Sequence, residues 1–204
     1  MTSAILSALV QVLAVLAIAF LAWLAARRAN PSFFRFVGLT RAPPMVVAAG
    51  AVTGLAVALA ALLIPGVAEF AGRAGTSAHQ AGQSGGLTAL LVIAAFRALI
   101  QTSLSEEILF RGLIGRNLIR KIGFARGNAI QAALFGAVHG LIGFIPGVAP
   151  AAVLAAVVFS GSFGWINGWL NERFGHGSIL PGWAAHGTAN LVTNIAVATM
   201  LVAG

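Results

Sequence analysis

The sequence predicts an all-α membrane protein, a polytopic bundle of about six transmembrane helices. Of its 204 residues, 59% are hydrophobic and 8% are charged, and the mean hydropathy is +0.97. Soluble domains, by contrast, carry about 25% charged residues. Several apolar runs reach the roughly 20 residues that a helix needs to cross the hydrocarbon core. Because a backbone in lipid must satisfy its own hydrogen bonds, we expect these runs to be helices.

Two predicted spans and their loops make up residues 1–86. The first span, residues 4–26, lacks a preceding basic segment and is longer than a signal-peptide core, so we interpret it as a retained helix. The second span, residues 45–64, ends at Pro65-Gly66, a pair that stops helices. A loop rich in Gly, Ser and Gln follows over residues 71–86.

The third predicted span is unusually long. Residues 87–120 are compatible with one helix of roughly 50 Å. This exceeds the bilayer thickness, so the helix must tilt, protrude or break. Ser103 with Glu106 three residues later resembles a capping box, which would place a break near Ser103.

Three further spans complete the predicted core, residues 87–204. They cover residues 128–142, 148–170 and 179–202, with short polar or Gly/Pro-containing joints between them. No internal repeat is visible in the sequence. We expect this core and residues 1–86 to form a single integral membrane domain.

The basic residues predict the orientation of the bundle. Only Arg73 lies on one side, whereas the loops after spans one, three and five carry Arg27, Arg28, Arg35, Arg41, Arg116, Arg120, Lys121, Arg126 and Arg173. Cytoplasmic loops are enriched in Lys and Arg, so both termini are predicted to be extracytoplasmic. Because these cations lie in short loops, we attribute the net charge of +8 to the orientation of the chain in the membrane. We expect no nucleic-acid partner. The absence of cysteine excludes disulfides and thiolate metal sites.

Ionisable residues within the predicted spans are the candidates for function, because a charge at mid-bilayer costs about 2.5–3.5 kcal/mol. Glu106, His139 and His186 lie 10, 13 and 13 residues from Arg116, Arg126 and Arg173, respectively. These separations correspond to roughly 15–20 Å along a helix. Three spans therefore present ionisable groups at a similar depth, and we predict that they meet.

Spacing within each helix suggests further contacts. Glu107 and Arg111 are four residues apart and can form an ion pair on one helix face. Glu106 points about 100° away from Glu107 and stays available. His186 and Asn190 also share a face.

This set of side chains suits amide hydrolysis inside the membrane. A carboxylate beside an imidazole can remove a proton from water, and a second imidazole with a carboxamide can donate hydrogen bonds to an oxyanion. The sequence contains neither G-x-S-x-G nor H-E-x-x-H, the signatures of serine hydrolases and common zinc proteases. Two histidines and a carboxylate could still bind zinc, so a metal remains open.

Three motifs resemble those of the CAAX protease and bacteriocin-processing (CPBP) intramembrane endopeptidases. EEILFR (residues 106–111) resembles E-E-x-x-x-R, FGAVH (135–139) resembles F-x-x-x-H, and HGTAN (186–190) resembles H-x-x-x-[ND]. They occur in the order typical of that family. The resemblance implies a glutamate-dependent membrane protease that is metal-independent and needs no cofactor.

The resemblance also implies roles for individual residues. Glu106 and His139 would activate water, and His186 and Asn190 would stabilise the oxyanion. The supporting residues would be Glu107 and Arg111. The implied substrate is a membrane-embedded or lipidated protein, for which prenylated C-a-a-X proteins are one example. Members of the family usually have eight spans, whereas we predict six. The Ala/Arg-rich, Lys-poor composition favours a prokaryotic plasma membrane.

Two other functions are compatible with the sequence. One is a non-catalytic scaffold or bacteriocin-immunity protein that binds a membrane partner. The other is a proton-coupled transporter, because midplane Glu and His residues also form proton relays.

Some polar residues have a structural interpretation. Glu107 with Arg111 could be a purely structural pair, and Asn167 and Asn171 are assigned to packing. Arg97 is expected to bond to neighbouring polar groups, and His79 and His176 to be solvated in loops.

Overall fold

The computed structural model describes residues 2–26, 32–72, 87–142 and 148–203, and the described part contains no β-strand. Residues 71 and 72 of the predicted loop fall in a helix, and the rest of it, with Arg73 and His79, lies outside the described residues, as do Arg27 and Arg28. The first helices are α1 (Thr2–Ala26), α2 (Phe33–Phe36), α3 (Pro44–Leu63) and α4 (Pro65–Gly72). The helices at the other end of the chain are α7 (Phe124–Ile142), α8 (Pro150–Trp169) with a π-helical end π3 (Leu170–Phe174), and α9 (Leu180–Ala203).

Between these two groups runs one continuous helix, here called the long helix. It consists of α5 (Leu87–Phe96), π1 (Arg97–Leu104), π2 (Glu107–Gly115) and α6 (Arg116–Ile122), with Ser105 and Glu106 between the two π segments. The predicted break near Ser103 is wrong. Instead of breaking, the helix changes to the wider i→i+5 hydrogen-bonding pattern of a π-helix, and buried Ser103 accepts a hydrogen bond from Asn190.

Every predicted span contains a helix, and four of the described helices are long and apolar enough to cross a membrane. These four are Ile5–Ala26, Pro44–Leu63, Thr88–Ile122 and Pro150–Phe174. The other two predicted spans correspond to α7 and α9, which are more polar. The chain is therefore an integral membrane protein, while the six-span count and the orientation of the termini stay predictions.

Small residues allow α9 to approach its neighbours closely. It packs along α3 and against π1, while α7 packs along α8. A Cβ atom added at Gly54 of α3 would overlap the backbone oxygen of Ala185 in α9. Added at Gly136 of α7, it would lie 2.6 Å from the oxygen of Val157 in α8. These approaches are typical of helix pairs in membranes, and they place the polar faces of α7, α8 and α9 around the long helix.

Candidate active site

The six predicted site residues lie on three helices. Glu106 precedes π2, which carries Glu107 and Arg111, whereas His139 is on α7 and both His186 and Asn190 are on α9. Direct contacts join four of these residues: Glu106, Glu107, Arg111 and His186.

Glu107 is at the centre of these contacts and its side chain is completely buried. Its Oε1 lies 3.1 Å from Nη1 of Arg111, so the predicted ion pair is present. The same oxygen is 3.2 Å from Nδ1 of His186 and accepts from Nδ2 of Asn167 at 3.2 Å. Its Oε2 accepts from Nδ2 of Asn171 at 3.4 Å. A buried carboxylate with this many donors is stabilised in its ionised form.

Arg111 is held by its charge and by an aromatic ring. Its contact with Glu107 is short, but the N–H groups are poorly directed, so none of its three nitrogens has a hydrogen-bond partner among the described residues. We therefore describe the contact as an ion pair without a hydrogen bond. The guanidinium carbon lies 4.1 Å from the centroid of the Phe135 ring, a cation–π distance.

His186 lies between the two glutamates. Its Nδ1 faces Glu107, and its Nε2 lies 3.7 Å from Oε2 of Glu106. The second distance is too long for a direct hydrogen bond. The Glu106 side chain is 23% exposed, yet its Oε2 is buried and has no hydrogen-bond partner in the part of the chain that the structure describes. Such an acceptor is costly unless a water or a ligand bonds to it.

His139 is connected to the other site residues by its contacts with Phe135. Its Nδ1 lies 2.9 Å from the backbone oxygen of Phe135, and because a carbonyl only accepts, Nδ1 carries the proton and Nε2 is left as an acceptor. The Phe135 ring lies 4.4 Å from the His139 ring and 5.7 Å from that of His186. No hydrogen bond joins His139 to Glu106 in the described structure.

Asn190 lies one helical turn beyond His186, and no hydrogen bond joins the two side chains in the described structure. Its Nδ2 donates to Oγ1 of Thr102 at 3.0 Å and to Oγ of Ser103 at 3.2 Å. Both hydroxyls belong to π1, so Asn190 joins α9 to the long helix beside the site.

The comparison with protein families agrees with this arrangement. A family model described as type II CAAX prenyl endopeptidase Rce1-like matches residues 88–192, just over half of the 204 residues. The chain belongs to this family. The Rce1-like match contains all six predicted site residues. Searches of the curated proteins and of the solved structures each gave no match.

Membership of the Rce1-like family confirms the resemblance that the three motifs indicated. It is a family of membrane proteases, which supports hydrolase activity and a substrate that is a protein in the lipid bilayer. The match begins in the long helix and ends in α9, so α1 and α3 lie outside it.

Sequence reasoning missed two residues of the site, Asn167 and Asn171, which both donate to Glu107. Their spacing of four residues, which places two amides on one helix face at the end of a predicted span, was the available signal. By contrast, Arg97 donates from Nη1 to Oε1 of Gln101 at 3.1 Å, as expected, and His176 is exposed in a turn.

The described residues contain no group of three His, Asp or Glu side chains that could hold a metal ion. Glu106 and His186 form a pair on their own, and Glu107 is occupied by its four neighbours.

Proposed function

We propose that the protein is an intramembrane endopeptidase in which Glu106 activates a water molecule to hydrolyse a peptide bond. The observation that carries this proposal is the Oε2 atom of Glu106, which is buried opposite Nε2 of His186 and has no hydrogen-bond partner among the described residues. A carboxylate oxygen with a free lone pair in such a position can accept a proton from water.

Water activation uses Glu106 and His139. Glu106 takes one proton from the water while Nε2 of His139 accepts a hydrogen bond from the other hydrogen and orients it. The water oxygen then forms a bond to the scissile carbonyl carbon. The free Nε2 of His139 supports this role, because its Nδ1 is engaged by the Phe135 carbonyl.

The resulting oxyanion is stabilised by His186 and Asn190. A histidine with a carboxylate facing each nitrogen can donate from both, so Nε2 of His186 can donate to the oxyanion. Asn190 lies one turn further along the same helix face. Both of its amide hydrogens are directed at hydroxyls of Thr102 and Ser103, so the substrate oxygen replaces one hydroxyl.

Collapse of the tetrahedral intermediate breaks the C–N bond. Glu106 returns its proton to the leaving amine and becomes a carboxylate again, which leaves a new carboxyl terminus and a new amino terminus. Glu107 and Arg111 support this cycle by holding His186 and Phe135 in place. We propose a lipidated or membrane-embedded protein as the substrate, and a prokaryotic plasma membrane as the location.

The proposal is tested by comparing the termini of membrane proteins, by mass spectrometry, in cells with the wild-type protein or with Glu106→Gln at equal abundance. We expect new termini that appear only with the wild type, and these also identify substrates. Identical termini, together with a phenotype that the variant retains, would replace the protease with the scaffold.

A further inference from the structure

We infer that Asn171 is a positioning residue for this hydrolysis, which fixes the Glu107 carboxylate and, through it, the His186 ring. The inference rests on the proposed function for its catalytic consequence, and on geometry for the contact itself. Asn171 lies outside all three motifs and is 2% exposed.

Asn171 uses both atoms of its amide. Its Nδ2 donates to Oε2 of Glu107 at 3.4 Å, and its Oδ1 accepts from the backbone N–H of Gly182 at 2.7 Å. Gly182 is in the first turn of α9, where backbone N–H groups have no partner within the helix. One side chain therefore joins the start of α9 to the carboxylate on the long helix.

The neighbours of Glu107 are unequally distributed between its two oxygens. Arg111, His186 and Asn167 all lie at Oε1. Among the described residues only Asn171 bonds to Oε2. Without Asn171 the carboxylate can rotate about its Cγ–Cδ bond, and such a rotation moves the oxygen that faces Nδ1 of His186.

Little space is left between Gly182 and the side chains of Glu107 and Asn171. A Cβ atom added at Gly182 would lie 2.6 Å from both Oε2 of Glu107 and Nδ2 of Asn171. His186 follows Gly182 by four residues and shares its helix face. The contacts thus form a closed loop from Glu107 through Asn171 and Gly182 to His186 and back to Glu107.

The test uses Asn171→Asp, which preserves the size of the side chain and the acceptor for Gly182. A protonated Asp can donate to Oε2 of Glu107, whereas an ionised Asp repels that carboxylate. The other charged groups of the site, Glu106, Glu107, Arg111 and His186, are also present in the wild type, so the ratio of the variant kcat to the wild-type kcat reports the pH dependence that the new carboxyl adds. We expect this ratio to fall as pH rises, by up to about 10²-fold, with KM unchanged.

Two further variants separate positioning from stability. Asn171→Leu removes both bonds and should lower kcat at every pH. Asn128→Asp is the matched control: Asn128 is equally buried and bonds to the Trp165 oxygen between α7 and α8, away from Glu107. This control should lower the stability of the protein, and the ratio of its kcat to the wild-type kcat should be the same at every pH.

A second readout does not depend on cleavage. In protein labelled with ¹⁵N-histidine and placed in lipid nanodiscs, the His186 signals are assigned by their loss in His186→Gln. We expect the Nδ1 and Nε2 signals of His186 to shift in Asn171→Asp as pH rises, and to stay as in the wild type in Asn128→Asp. His186 signals identical to the wild type at all pH values would overturn the inference, whereas cleavage that persists in Glu106→Gln would overturn the proposed function alone.

Discussion

Glu106 and Glu107 are adjacent in the chain, but their carboxylates lie in different surroundings. Glu107 is fully buried with donors at both oxygens, whereas Glu106 is partly exposed and has one oxygen without a partner among the described residues. A carboxylate surrounded by donors is held in its charged form and is therefore a poor acceptor for a proton. The contrast supports a structural role for Glu107 and a chemical role for Glu106.

Phe135 contacts three site residues through a single ring. Its centroid lies 4.1 Å from the Arg111 guanidinium and 4.4 Å and 5.7 Å from the rings of His139 and His186. It is 1% exposed. The ring therefore sets the relative positions of a cation and two imidazoles that come from three different helices.

Replacing Phe135 by leucine should lower kcat, because leucine fills space but has no aromatic face. Arg111 loses a cation–π contact worth about 0.5–2 kcal/mol, and both imidazoles lose their common support. The measurement is kcat for a substrate identified from the new termini, together with thermal unfolding in detergent.

Phe124→Leu is the control for this variant, since it removes a second cation–π contact, in which Arg173 lies 4.3 Å from the Phe124 ring. It should leave kcat unchanged. Equal losses of kcat in both variants would mean that Phe135 acts only by packing.

At the scale of helices, the long helix departs from α-helical geometry where it carries the site. The segments π1 and π2 flank Ser105 and Glu106. Side chains of neighbouring helices bond to its backbone: Trp183 donates to the Leu99 oxygen at 2.8 Å, and Gln11 donates to the Gln101 oxygen at 3.0 Å. Since π-helical turns are frequent at functional sites, we interpret this geometry as the one that turns Glu106 and Glu107 toward α9.

The contact between α3 and α9 positions His186 from the opposite side. Gly54 of α3 meets the backbone of Ala185, the residue before His186. Because α3 lies outside the family match, this support is a feature of the first part of the chain.

Gly54→Ala should lower the free energy of unfolding by about 1–3 kcal/mol and also reduce kcat, because the added methyl group overlaps the Ala185 oxygen. Thermal unfolding and cleavage rate measure the two effects. The matched variant is Gly161→Ala, whose Cβ would lie 3.4 Å from the Ala132 oxygen, an ordinary contact. If Gly54→Ala were as stable and as active as Gly161→Ala, the α3–α9 contact would not position His186.

At the scale of the whole molecule, the outer surface is apolar and polar residues lie in the interior. Large apolar side chains are exposed along α1 and α3, for example Leu13 at 63% and Leu63 at 81%. The interior holds the polar residues Gln101, Glu107, Arg111, Asn128, Gln131, Asn167, Asn171 and His186. This distribution fits a bundle whose outer surface contacts lipid and whose polar side chains face its interior.

The predicted orientation can be tested with single cysteines, because the chain has none of its own. Thr2→Cys should react with a membrane-impermeant maleimide in intact cells, whereas Lys121→Cys should react only after the cells are permeabilised. Labelling is read by mass shift on a gel. The reverse pattern would invert the topology, and labelling of both residues in intact cells would contradict the predicted span count.

Much of the fold could be predicted from the sequence because bilayer thickness restricts what an apolar run can do. All six predicted runs contain helices, with bounds that differ by a few residues. The more polar α7 and α9 were also predicted, because each contains an apolar run that is bounded by polar or Gly/Pro-containing joints. The sequence could not predict that the long helix continues through Ser103. A capping pattern indicates local hydrogen bonds, whereas Ser103 is kept in the helix by a contact with Asn190 of another helix.

The sequence by itself determined that the chain is a membrane bundle, which family it resembles and which ionisable residues it places within the spans, because composition, run length and motif spacing are local properties. Tertiary structure decided which of those residues touch: His186 lies between the two glutamates, His139 is joined through Phe135, and Asn190 turns to the hydroxyls of π1. It also brought Asn167 and Asn171 to Glu107 from a helix about 60 residues away. Depth along a helix can be counted in a sequence, but the rotation of each helix about its axis depends on how all the helices pack together.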